Sequence, residues 1–140
     1  MTSTLFLRIA SVLTLIHCVL HTIGGVLSKP RNGAEEMVVI DAMKSYHFNV
    51  MGSMRAYWDF FFGYGLGVTV NLLIQGILFW MLASLVKTSP AAIRPIAALF
   101  FINYALLSVI AFKYFFVAPG ITEVLIAAFL AAAYLKTASA

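Results

Sequence analysis

From Phe60 to Val86 the chain carries no charged residue, and Lys87 followed by Thr88-Ser89-Pro90 ends the run. A helix needs about 20 consecutive apolar residues to cross the hydrocarbon core of a bilayer. In lipid such a segment must satisfy its own backbone polar groups, and a helix does so. The run therefore reads as a transmembrane helix. Composition extends this constraint to the whole chain of 140 residues, which is 63% apolar and 10% charged, with a mean hydropathy of +1.00. Soluble domains carry about 25% charged residues. A fold of this size has no core large enough to hide so much apolar surface from water. The fold class expected is all-α: a polytopic membrane protein built as a four-transmembrane-helix bundle.

The expected spans are 5–27, 58–86, 95–117 and 121–136, within a single membrane domain over 1–140. Gly24-Gly25 and Lys29-Pro30 end the first span. Pro119-Gly120 is expected to break the chain between the third and fourth. The first loop, 28–57, is the one long connection. Its Glu35 and Glu36 precede Lys44, which suits a helix dipole, and Met37, Ile40 and Met43 recur at helical spacing. A short amphipathic helix on the membrane surface is expected there. Arg8 and the apolar run after it resemble a secretory signal, but His17, His21 and the lack of a clear cleavage site favour a retained helix.

Cys18 is the only cysteine. It excludes an internal disulfide, a CxxC redox or zinc motif, and the four-helix thiol oxidoreductases that need paired cysteines. The net charge of +4 is spread along the chain as membrane-flanking charge, so no nucleic-acid partner is expected. Basic residues do not set an orientation: Arg8, Lys87, Arg94 and Lys136 fall on one side, and Lys29, Arg31, Lys44, Arg55 and Lys113 on the other. The termini are expected in the cytoplasm, with the protein in a bacterial inner membrane.

Ionisable and polar groups inside a membrane are costly, which makes each a functional hypothesis. In the first span Thr14, His17, His21 and Gly24 recur every three or four residues, flanked by Ser11, Cys18, Gly25 and Ser28. His17 and His21, one turn apart, can share a metal ion or a haem, or tie helices together by hydrogen bonds. Tyr57-Trp58-Asp59 opens the second span at the interface. Gly63 and Gly67 form a GxxxG pattern for close helix approach, and Asn71 and Gln75 follow. The third span carries Asn103, Tyr104 and Ser108, then Lys113. The fourth begins beside Glu123 and offers Ala127, Ala128, Ala131 and Ala132 as packing positions.

By topology His21, Asp59, Lys113 and Glu123 all fall near the first-loop boundary. They suggest a pocket opening on that side with His17 at its floor. His17, His21, Asp59 and Glu123 are the expected acid–base groups. Tyr57, Trp58, Tyr64, Asn71, Gln75, Asn103, Tyr104 and Lys113 are the expected ligand contacts.

The run from Arg8 to His17, with His21-Thr22-Ile23-Gly24-Gly25 and Tyr57-Trp58-Asp59-Phe60, resembles small bacterial four-helix membrane proteins. The layout is also loosely similar to DoxX-like proteins and to the four-helix module of sterol isomerases. The likeness implies architecture and transfers no residue roles. Three readings follow. The first is a protein that binds or modifies a lipophilic small molecule. The second is a haem or metal protein using His17 and His21. The third is a structural or accessory subunit. Membrane lipids and a second copy of the chain are the other expected partners.

Overall fold

Four helices in this computed structural model, which describes residues 2–137, are long and apolar enough to cross a membrane. Helix α1 covers Ser3–His21 and continues through a π-helical turn, Thr22–Val26. Helix α2 covers Ala34–Ser45, and strands β1 (His47–Val50) and β2 (Ser53–Ala56) follow it. Helices α3 (Tyr57–Leu85), α4 (Pro90–Tyr114) and α5 (Val117–Thr137) complete the chain. In the most apolar stretch of each candidate span only 22–28% of residues are buried. Leu20, Leu99, Leu106 and Leu135 are between 62 and 65% exposed. Apolar side chains exposed in such numbers need lipid as their solvent.

The chain divides into two units. The first comprises residues 1–17 and 72–140: the start of α1, the second half of α3, and all of α4 and α5. Its core is built from Leu7, Phe79, Leu82, Ile93, Tyr104, Ile126 and Leu130. Small residues bring the helices together. A Cβ on Gly76 would fall 2.6 Å from Leu15 Cδ2, and one on Gly120 would fall 2.7 Å from the Phe112 ring. On α5 the buried face runs through Gly120, Ile126, Ala127, Leu130, Ala133 and Thr137. Of the alanines expected to pack, Ala127 is buried while Ala128 is exposed.

Two boundaries move for the same reason. Helix α4 begins at Pro90 rather than at 95, because a proline at the first helical position gives up only an N–H that has no partner there. Pro95 is absorbed inside the helix. Helix α5 begins at Val117, so Pro119 sits in its first turn and does not break the chain. The break falls instead at residues 115–116.

The second unit covers Cys18–Asn71. The connection expected as a long loop with an amphipathic helix is different here. Helix α2 forms, started by Gly33 at φ 87° and by Glu36, whose Oε2 accepts from the backbone N–H groups of Arg31 and Asn32 at 2.7 Å each. It is not amphipathic in the expected sense. No residue of α2 is buried, and Val38 and Val39, off the Met37–Ile40–Met43 stripe, are 68% and 60% exposed. The remainder is a hairpin, with His47 opposite Ala56 and Val50 opposite Ser53. Met51 and Gly52 turn it at φ 50° and 86°. A two-residue type I′ turn requires positive φ at both positions. The Asn49 side chain accepts from the Gly52 N–H at 2.8 Å.

Candidate functional site

In the first unit, α1 turns Ser11 and Thr14 fully inward. Their hydroxyls are satisfied by carbonyls, as lipid-embedded hydroxyls must be. Ser11 Oγ donates to the Gly76 carbonyl at 2.6 Å, and Thr14 Oγ1 donates to the Ala10 carbonyl at 2.8 Å. Ser108 on α4 donates to the Ala105 carbonyl at 2.8 Å.

Tyr104 is different. It is 0% exposed, and its ring packs at 6.1 Å from Phe79, which meets Phe100 edge-on at 5.0 Å. Its polar neighbours are Thr14 of α1 and Glu123 of α5. Thr14 has its proton on Ala10, so its oxygen is the one acceptor it can turn to the Tyr104 hydroxyl, and that contact falls short of good hydrogen-bond geometry. One carboxylate oxygen of half-buried Glu123 is also shielded and unpartnered, as is the amide oxygen of Gln75, beside Gly76 on α3. Leaving a buried polar group unpaired costs about 1–3 kcal/mol. Three helices thus supply three shielded oxygens, each able to accept a hydrogen bond. His17 is half-buried on α1, three residues beyond Thr14.

The second unit holds His21 and Asp59, and each has structural work. His21 Nε2 lies 3.0 Å from the Gly65 carbonyl oxygen. A carbonyl only accepts, so this nitrogen carries the hydrogen, and in the neutral ring the lone pair is on Nδ1. Thr22 and Thr69 hydroxyls meet at 3.0 Å, and Cys18 Sγ donates to the Thr69 carbonyl at 3.4 Å. The close approach is at Gly65, where a Cβ would fall 3.0 Å from Val26 Cγ2. Gly63 and Gly67, the expected contact pair, lie open. Asp59 is exposed, and its Oδ2 accepts from the Ala56 N–H at 2.8 Å. That is the back-bond of a capping box at the start of α3. Among the described residues no three His, Cys, Asp or Glu side chains gather as a metal site.

The other expected contacts are spread out. Tyr57 stacks on Tyr46 at 6.1 Å and packs on Phe48 at 4.8 Å, while Trp58 lies under Lys44 at 4.6 Å. Tyr64 is 75% exposed, and Asn71 donates back to the Gly67 carbonyl of its own helix at 2.9 Å. Lys113 is exposed and lies over the Tyr114 ring at 5.1 Å. Asn103 is half-buried next to Tyr104. Thr14 was visible on the polar stripe of α1, but only its inward placement beside Tyr104 links it to the site.

Comparison with protein-family models, with curated proteins and with solved structures finds no match for this chain. The reading of function therefore rests on the residues themselves.

Proposed function

We propose that this is an integral membrane protein that binds a lipophilic small molecule through a hydrogen-bond-donating head group. The observation that carries the reading is the fully buried Tyr104 hydroxyl, which has Thr14 as a polar neighbour and feels the Glu123 charge but makes no hydrogen bond of good geometry among the described residues. An alcohol or amine on an apolar body supplies what this cluster lacks. Its N–H or O–H groups meet the oxygens of Glu123 and Tyr104, and its body replaces lipid against the surrounding apolar side chains. Glu123 lies six residues into α5, so the head group enters from the N-terminal end of that helix. His17 is the nearest titratable group along α1 and is the proton-exchange partner if the bound molecule is also transformed.

The test is mass spectrometry of the organic extract of purified protein. A stoichiometric alcohol or amine that is not bulk phospholipid is expected. An extract holding only the phospholipids of the host membrane would sink the reading and favour a structural subunit.

A further inference from the structure

The first unit also carries a concentration of charge that the ligand reading does not use. Arg8 near the start of α1, Lys87 just past α3, Arg94 early in α4 and Lys136 at the end of α5 lie at the same end of their helices. Together they carry +4, the whole net charge of the chain. The remaining basic residues, Lys29, Arg31, Lys44, Arg55 and Lys113, are matched in number by Glu35, Glu36, Asp41, Asp59 and Glu123. Counting bases alone hides this polarity, because no acid sits with the first four.

Two of the four are held in place by interfacial aromatics. The Arg8 guanidinium lies 4.9 Å from the centre of the Trp80 ring. Arg94 lies 4.5 Å over the Tyr134 ring and donates through Nη2 to the Tyr134 hydroxyl at 3.1 Å. Trp and Tyr at the end of a span mark the headgroup level of a bilayer. Stacking fixes each guanidinium, and each guanidinium has more N–H donors than the one that Arg94 gives to Tyr134. Lys87 and Lys136 are exposed beside them. A planar guanidinium is weakly hydrated and matches the oxygens of a phosphate.

We propose that this end of the bundle binds the phosphate of an anionic phospholipid headgroup. Arg94 is the positioned contact, and Arg8, Lys87 and Lys136 supply the surrounding field. A bilayer surface is the partner because the cations sit where four apolar helices end, next to aromatics of interfacial type. The site is independent of the Tyr104 cluster.

The experiment compares retention of phosphatidylglycerol and phosphatidylcholine of identical acyl chains on the detergent-solubilised protein, read by native mass spectrometry. Wild-type protein is expected to retain phosphatidylglycerol in preference. Arg94→Gln should reduce that preference by roughly fivefold, and the Lys87→Gln/Lys136→Gln pair by roughly fivefold per charge. Lys29→Gln/Arg31→Gln, in the second unit, should leave it unchanged. Both lysines are exposed, so the pair decides the matter if Arg94→Gln fails to fold. Equal retention of the two lipids by wild type would overturn the proposal. An equal loss from the Lys29/Arg31 substitutions would overturn it too.

Discussion

The imidazole of His21 donates from Nε2 to the carbonyl oxygen of Gly65 at 3.0 Å. The same carbonyl accepts from the Thr69 hydroxyl at 3.2 Å. A Cβ at Gly65 would fall 3.0 Å from Val26 Cγ2, so the bond ties side chain to backbone where the two segments are tightly packed. His21→Ala should destabilise the protein by about 0.5–1.5 kcal/mol, the usual range for an interhelical hydrogen bond in a membrane. Thermal unfolding in detergent measures this. Ligand retention should stay at the wild-type level, and a loss of ligand with no loss of stability would place His21 in the binding site instead.

Three glycines of α3 give opposite expectations. Gly76→Ala drives a methyl to 2.6 Å from Leu15 Cδ2 and 2.7 Å from its Cγ. Overpacking of this kind costs about 1–3 kcal/mol. Gly63→Ala and Gly67→Ala meet open space and should be neutral or stabilising by about 0.5–1 kcal/mol, from the better helix propensity of alanine. Unfolding midpoints of the three variants settle the order. Destabilisation by the Gly63 and Gly67 changes would mean that another chain packs on that face.

The hairpin tip stores a small strain. Met51 is fully exposed at φ 50°, in the left-handed region. Asparagine tolerates that conformation better, and Asn-Gly is the favoured type I′ pair. Met51→Asn should slow amide hydrogen exchange across β1 and β2, with the registers of His47–Ala56 and Val50–Ser53 retained. Faster exchange would contradict the turn assignment.

The spans were legible because apolar runs of this length have few alternatives, and Lys87 and Lys136 punctuate them. The start of α4 was misplaced because Pro90 and Pro95 are both plausible first residues, and only packing chooses between them. The hairpin was illegible for a local reason: its strands are four residues each, and its turn is Met51-Gly52 rather than Asn-Gly. At the candidate site, Tyr104 and Glu123 were readable as polar residues in apolar helices. Their proximity was not, since it depends on how α4 and α5 pair. The histidines drew attention through their spacing, yet spacing alone does not distinguish a metal pair from a residue such as His21 that bonds a neighbouring carbonyl.

The central claim is that the Tyr104 hydroxyl serves a ligand rather than holding the helices together. Tyr104→Phe tests it most directly, with stability and extract composition measured on the same ligand-free and as-purified samples. The account predicts that the ligand-free variant is at least as stable as wild type, since a buried hydroxyl that makes no hydrogen bond of good geometry has been removed. It predicts that the as-purified variant has lost most of its bound alcohol or amine. A ligand-free variant less stable by about 1 kcal/mol or more, with an extract identical to that of wild type, would show that the hydroxyl is a structural hydrogen bond and would contradict the account.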